Sequence, residues 1–108
     1  MAARALFATT LCRRLMPRFR NLPVDVVIDV RSRLEFWLGH LPSAICLPVG
    51  SLAQAVADRG IARDARVLVY CASGARSAQA AAILRQLGYK RVTDGGAMAA
   101  ARGEYQAD

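Results

Sequence analysis

The sequence predicts an α/β fold, a small doubly wound parallel sheet of about four to five strands with helices on both faces. Short apolar, β-branched runs alternate with helical patterns along the chain, which is typical of parallel strands buried on both faces. Glycines stand where the predicted helices end. The chain has 108 residues, enough for one domain and too few for two.

The first half of the chain is expected to hold two strands and two helices. Residues 23–30 are short and rich in valine and isoleucine, as a buried strand should be. Residues 33–38 read as a short helix that ends before a glycine. Residues 44–48 form a second strand that a proline stops, and Ser51 is expected to cap a helix that runs to residue 58.

The second half continues the alternation. Residues 66–70 form a third strand that is nearly free of polar side chains. A helix is expected over residues 76–87, with Gly88 at the position where a helix-ending glycine belongs. Residues 92–93 read as a last, very short strand, and residues 97–108 as one more short helix.

The charge pattern divides the chain into a basic N-terminal segment, residues 1–22, and a domain, residues 23–108. The net charge is +7, and the segment holds five arginines before the first acidic residue, Asp25. The charges of the domain nearly balance, so the high net charge indicates a basic tail rather than a basic surface. Leu6, Leu11 and Leu15 lie at roughly helical spacing, so the segment is either a tail or a first helix.

Several classes of function are disfavoured by composition. Basic residues are not interleaved with aromatic ones, so no nucleic-acid partner is expected. No run approaches the ~20 apolar residues of a membrane span. Three cysteines without a C-x-x-C pair, and a single histidine, argue against a disulfide framework, a metal or another cofactor. The cytoplasm is the expected compartment, with periplasmic or organelle targeting by residues 1–22 left open.

Cys71 is the strongest candidate for chemistry. It follows the third predicted strand and opens a short loop that contains Gly74 and Arg76 and runs into a helix. A helix N-terminus and a nearby arginine lower the pKa of a thiol and leave a nucleophilic thiolate. The ligand site of an open parallel sheet lies beyond the carboxyl ends of the strands, where this loop belongs.

Four stretches, taken in order and spacing, identify the chain as similar to a known family. They are Ile28-Asp29-Val30-Arg31, Glu35-Phe36 followed by Gly39-His40-Leu41-Pro42-Ser43-Ala44-Ile45 and Pro48, Cys71-x-x-Gly74-x-Arg76-Ser77, and Leu87-Gly88-Tyr89 before Gly95-Gly96. Over residues 24–96 the chain resembles the single-domain rhodaneses, the thiosulfate sulfurtransferase family.

The resemblance implies that Cys71 is catalytic. It would take sulfur from a small anionic donor, thiosulfate, as a persulfide and pass it to cyanide or a thiol acceptor. The substrate-binding residues would be those of the loop, whose amides can curl around sulfur: Ala72, Ser73, Gly74, Ala75, Arg76 and Ser77. Arg76 would contact the donor or brace the loop, and Ser77 would cap the helix.

Other marked residues are expected to be structural. Asp29 and Arg31 follow the family's strand-end motif and are expected to pair and support the site. His40 and Glu35 are interpreted as turn or helix contacts rather than as acid or base catalysts. Cys46 stands where the family usually has asparagine, Ser43 where glycine is common, and the family's tryptophan after Gly95-Gly96 is missing.

Three alternatives remain at this level. The first is a phosphatase. Phosphatases with a related loop place five residues between cysteine and arginine, whereas only four lie between Cys71 and Arg76, and this shorter loop favours sulfur over phosphate as the bound group. The chain could instead be a persulfide carrier that works with a sulfur-relay protein and turns over little free thiosulfate. A redox sensor that uses Cys71 and Cys46 is the third. A monomer is expected.

Overall fold

The computed structural model describes residues 16–107, and the predicted leucine spacing in the N-terminal segment lies outside that range. Strands β1 (Arg18–Phe19), β2 (Leu22–Pro23) and β3 (Val26–Asp29) come first, then helix α1 (Arg33–Leu38) and strand β4 (Ile45–Cys46). A 3₁₀ turn (Val49–Ser51) leads into α2 (Leu52–Asp58). The rest of the chain forms β5 (Arg66–Cys71), α3 (Ala75–Gln86), β6 (Arg91–Ala97), α4 (Met98–Arg102) and β7 (Tyr105–Gln106).

The main sheet has four parallel strands in the order β4-β3-β5-β6, which confirms the predicted fold class. The central strands β3 and β5 are in register from Val26 opposite Val67 to Asp29 opposite Tyr70. Non-consecutive neighbours require crossover connections, and these carry the helices over the sheet. The carboxyl ends of β3, β4 and β5 therefore meet at one edge, where Asp29, Cys46 and Cys71 lie.

Alternation along the strands separates two apolar layers. On one face, Ile28, Val67 and Val69 pack with buried residues of α2 and α3, among them Leu52 and Leu84. On the other face, Val27, Leu68 and Tyr70 pack against β1, the loop before β4 and α4 through Phe19, Leu41 and Ala101. Complete burial of residues on both faces makes the central strands nearly continuous apolar runs.

A small antiparallel sheet, β2-β1-β7, covers the second face and was not predicted. Phe19 in β1 is only 3% exposed and belongs to the core. The predicted domain boundary at residue 23 is therefore too late, because β1 pairs with the C-terminal strand β7 and β2 pairs with β1 as part of the fold.

Three local predictions are corrected by the structure. Ser51 precedes α2, but its side chain makes no cap; its hydroxyl contacts the Pro48 carbonyl oxygen at 3.5 Å. The last parallel strand, β6, is seven residues long instead of two. The C-terminal residues form the five-residue α4 and then β7, which pairs with β1.

Candidate active site

The loop after β5 places backbone amides around the sulfur of Cys71. Gly74 N–H donates to Sγ at 3.0 Å and Ser77 N–H donates to it at 3.3 Å. Gly74, at the start of α3, has a φ of 101°, a conformation that L side chains rarely adopt. That angle turns the chain from strand to helix within three residues, so the first amides of α3 point back at the strand end.

These contacts determine the ionisation of Cys71. Burial by itself would raise the pKa of the thiol, but hydrogen bonds from Ser77, Gly74 and Ser73 together outweigh it and hold the pKa below the ordinary value. The Ser77 hydroxyl donates to the Gly74 carbonyl oxygen at 3.0 Å. The sequence predicted that Ser77 caps the helix, and this prediction is wrong. Ser77 lies inside the first turn of α3, and the N-cap position belongs to Gly74.

Cys71 has no exposed surface, while Ala72, Ser73 and Ala75 above it are exposed. The thiol thus lies one layer beneath the protein surface, under the loop. A sulfur added to Sγ would extend about 2 Å outward, the length of an S–S bond.

Arg76 is held by a carboxylate on another element. Its Nη1 donates to Glu35 Oε1 at 2.7 Å and its Nη2 to Glu35 Oε2 at 3.0 Å. Glu35 also completes a capping box at the start of α1, where its carboxylate accepts from Ser32 N–H. The Arg76 guanidinium and the Ser32 amide lower the pKa of Glu35 to about 2. Of the two roles predicted for Arg76, the structure shows the brace.

Asp29 and Arg31 form the predicted pair at the carboxyl end of β3. Arg31 Nη2 donates to Asp29 Oδ2 at 2.7 Å, and Nε donates to Oδ1 at 3.0 Å. The same guanidinium donates to the Gly39 carbonyl oxygen at 2.6 Å, so it ties the end of α1 to β3. Asp29 is fully buried and Arg31 is 6% exposed. The pair positions α1, and through Glu35 the cysteine loop.

Cys46 lies apart from Cys71. In the sheet, β3 stands between β4 and β5, so the two cysteine backbones are separated by two strand spacings, about 9.5 Å. Cys46 is aligned with Asp29, which is aligned with Tyr70, so Cys46 and Cys71 point to opposite faces. A disulfide needs Cα atoms closer than about 7 Å, and the redox-sensor alternative is therefore disfavoured by geometry.

His40 and Glu35 make contacts at a turn and a helix, as expected. His40 Nδ1 lies 2.8 Å from the Phe36 carbonyl oxygen, and its ring stacks on Phe36 at 3.7 Å between centroids.

Sequence reasoning missed the partner of Arg76, since Glu35 precedes it by 41 residues. The Ser32-x-x-Glu35 spacing, typical of a capping box, was the available signal for the orientation of that carboxylate.

Fold and loop together define a class of protein: a parallel α/β domain with a cysteine at a helix N-terminus, where backbone amides favour the thiolate form. Comparison with known families gives the particular one. The rhodanese-like domain family matches residues 14–100, and the chain belongs to it.

Individual relatives agree with this assignment. A sulfurtransferase from Allochromatium vinosum is 40% identical over 90 residues, covering 82% of each chain. Thiosulfate sulfurtransferase PspE from Escherichia coli K12 is 32% identical over 81 residues, 72% of this chain and 78% of the relative. A solved structure described as a rhodanese with anions from E. coli superimposes with a TM-score of 0.66 at 31% identity, over 69% of this chain and 88% of that one.

The chain also matches parts of larger enzymes. It spans 13% of a tRNA sulfurtransferase from Thermoplasma acidophilum and 21% of a tRNA uridine(34) hydroxylase from Cronobacter sakazakii. The rhodanese-like domain thus occurs both nearly alone and inside longer chains. Within residues 16–107, no helix is long and apolar enough to cross a membrane.

Proposed function

We propose that the chain is a sulfurtransferase that moves sulfane sulfur from thiosulfate to a thiophilic acceptor through a persulfide on Cys71. The observation that carries the proposal is the convergence of Gly74 and Ser77 amides on Sγ at 3.0 and 3.3 Å. These donors favour an anionic sulfur, and they suit the thiolate as well as the outer sulfur of a persulfide. The similarity to proteins named as sulfurtransferases supports the same chemistry.

The reaction needs no general base. The Cys71 thiolate attacks the outer sulfur of thiosulfate, a new S–S bond forms, and the old S–S bond breaks with its electron pair leaving on sulfite. Cyanide or a thiolate then attacks the outer sulfur of the persulfide, and the pair returns to Cys71 as the thiolate. Hydrogen bonds to Sγ favour the thiolate form of the nucleophile, and the leaving group is a stable anion, so both steps are covalent exchange at sulfur.

The state of Arg76 favours sulfur transfer over phosphate transfer. Both of its terminal nitrogens bind Glu35, so the guanidinium is not free to make the bidentate contact that recognition of a phosphate group uses. The loop between Cys71 and Arg76 is also one residue shorter than in the related phosphatases. Within residues 16–107, both cysteines, Cys46 and Cys71, are free thiols, which fits a reducing compartment such as the cytoplasm.

A steady-state assay with thiosulfate and cyanide tests the proposal. Wild type is compared with Cys71→Ser and with Cys46→Ser, the matched control at the second free thiol of residues 16–107. We expect thiocyanate formation by wild type and Cys46→Ser, and its loss in Cys71→Ser. Comparable rates for wild type and Cys71→Ser would reject the proposal. Mass spectrometry after thiosulfate alone should show one added sulfur, about 32 Da, on Cys71.

A further inference from the structure

Helix α1 exposes three of its four large apolar side chains, and the fourth, Phe36, is half-buried. Leu34, Trp37 and Leu38 are 65%, 78% and 72% exposed, and no residue of the helix is buried. Their spacing of three and four residues places them on one side of the helix, which we call the α1 face. A helix in a globular domain normally turns such a stripe toward the core. Contiguous apolar surface that stays outside marks an interaction site.

The α1 face is fixed beside the cysteine loop. Glu35, on the same helix, holds Arg76 of the loop by two hydrogen bonds of 2.7 and 3.0 Å. At the other end of α1, Arg31 binds the Gly39 carbonyl oxygen at 2.6 Å. The helix is therefore attached at both ends to the sheet edge that carries Cys71. A protein seated on the α1 face would place its own surface over the loop.

Charge indicates what kind of partner fits. Arg33 is exposed on α1 and forms no ion pair within residues 16–107, whereas Glu35, the one acid of the helix, is neutralised by Arg76. A second copy would bring a like charge, and residues 1–15 contain three arginines and no acid. An acidic partner is the electrostatic complement.

We propose that the α1 face is the docking surface for an acidic protein that exchanges sulfur with Cys71, an inference that rests on the proposed sulfurtransferase function. In the exchange, a cysteine thiolate of the partner attacks the outer sulfur of the Cys71 persulfide. The S–S bond to Cys71 breaks, its electron pair stays on the Cys71 thiolate, and the partner becomes the persulfide. No external oxidant or reductant takes part.

Burial of Cys71 gives docking a function. Cys71 has no exposed surface, so the outer sulfur of its persulfide extends only about 2 Å from a buried atom, and a partner cysteine must be well oriented to reach it. Apolar contact on the α1 face would hold the partner in place and turn the encounter into an effectively intramolecular step. Small thiols such as glutathione gain nothing from the α1 face, and this difference makes the proposal testable.

Binding can be measured without turnover because Trp37 is the only tryptophan of the chain. The Cys71→Ser protein is titrated with a synthetic peptide that carries leucines, glutamates and one cysteine. The control is the same peptide with lysines in place of glutamates. We expect a blue shift of Trp37 emission with the acidic peptide that weakens as salt is added. No shift up to millimolar acidic peptide, or equal shifts with both peptides, would overturn the proposal.

Transfer is measured in a single turnover from sulfur-loaded wild-type protein to the acidic peptide and to glutathione. The variant carries Leu34→Ser, Trp37→Ser and Leu38→Ser, and the matched control is Leu22→Ser, a leucine 69% exposed in β2. We expect the triple variant to lose about tenfold in rate toward the peptide and to keep the glutathione rate, since truncated anchor residues dominate docking energy.

The remaining outcomes are also decisive. An unchanged peptide rate in the triple variant, or equal slowing with glutathione, would reject docking on the α1 face, because the second result would mean that these side chains only support the loop. If wild-type protein never takes up sulfur, the proposed function fails by itself. The fluorescence titration with Cys71→Ser would still decide whether the α1 face binds acidic peptides.

Discussion

Arg76 and Glu35 join the cysteine loop to helix α1 through two hydrogen bonds, Nη1 to Oε1 at 2.7 Å and Nη2 to Oε2 at 3.0 Å. The residues are 41 positions apart, and the ion pair joins the segment that follows β3 to the segment that follows β5. A planar fork of this kind fixes orientation as well as distance. The loop that surrounds Cys71 is consequently held by the same side chain that begins α1.

Replacing Glu35 with glutamine should weaken the fold modestly and change its acid sensitivity. The pair is about one-third exposed, so its loss should cost about 0.5–1 kcal/mol, or roughly 3 °C in Tm. Because the pKa of Glu35 is lowered to about 2, its stabilisation is complete above pH ~4.3 and disappears as pH falls toward 2.

Thermal melts of wild type and Glu35→Gln at pH 7 and pH 2.5 measure this effect. The Tm difference seen at pH 7 should shrink at the lower pH, where the wild-type carboxylate is partly protonated. A difference that stays constant across the range would show that Glu35 acts through shape rather than charge.

The reactivity of Cys71 should follow a pH profile displaced to the acid side of an ordinary thiol. Hydrogen bonds from Ser77, Gly74 and Ser73 outweigh burial and lower its pKa, whereas burial and the nearby Asp29 carboxylate raise the pKa of Cys46. Alkylation by iodoacetamide, followed at each site by mass spectrometry, should give a midpoint below pH ~8.5 for Cys71 and above it for Cys46. The midpoint is the diagnostic quantity, because burial slows the absolute rate at position 71. Equal midpoints would contradict the assignment.

Gly74→Ala should disturb the loop through the backbone rather than through a clash. Gly74 has a φ of 101°, and a Cβ there would meet nothing closer than 3.9 Å. Forcing an L side chain into this region costs about 1–2 kcal/mol, and relaxation would move the Gly74 amide away from Sγ. We expect a lower Tm and a Cys71 alkylation midpoint at higher pH. The control is Gly50→Ala, where a Cβ also has open space and no positive φ is required. Equal behaviour of the two variants would exclude the backbone argument.

The predictable parts of the fold were those with strong local signals. Helix α1 runs from Arg33 to Leu38 as predicted, because Ser32 and Glu35 form a capping box and Gly39 ends the helix. Strand β5 begins at Arg66 as predicted and ends one residue later, at Cys71, and its uniform apolar character reflects burial on both faces. In each case the residues that determine the element are neighbours in the chain.

The missed parts depended on distant contacts. Strands of two residues, such as β1 and β7, have no periodicity, and only their pairing with each other reveals them. The last strand was expected to cover only residues 92–93, but β6 continues through Gly95, where a Cβ would lie 3.0 Å from Leu68 Cδ1 and a side chain has no room. The choice between the two roles of Arg76 needed the position of Glu35, which no local pattern supplies.

Asp29→Asn should be the most destabilising of these changes, because it breaks a buried ion pair and leaves one charge without its partner. Asp29 is fully buried, Arg31 is 6% exposed, and Arg31 donates to the carboxylate from both Nε and Nη2. Removal of one member of such a pair typically costs about 3–5 kcal/mol.

Asp25→Asn is the control, since its pair with Arg66 is about one-third exposed and the loss of that pair should cost less than about 1 kcal/mol. Urea unfolding of both variants measures the difference. Because Arg31 also holds the Gly39 carbonyl oxygen, the Asp29 variant should shift Trp37 emission before global unfolding begins. Equal unfolding free energies for the two variants would mean that the buried pair does not stabilise this edge of the sheet.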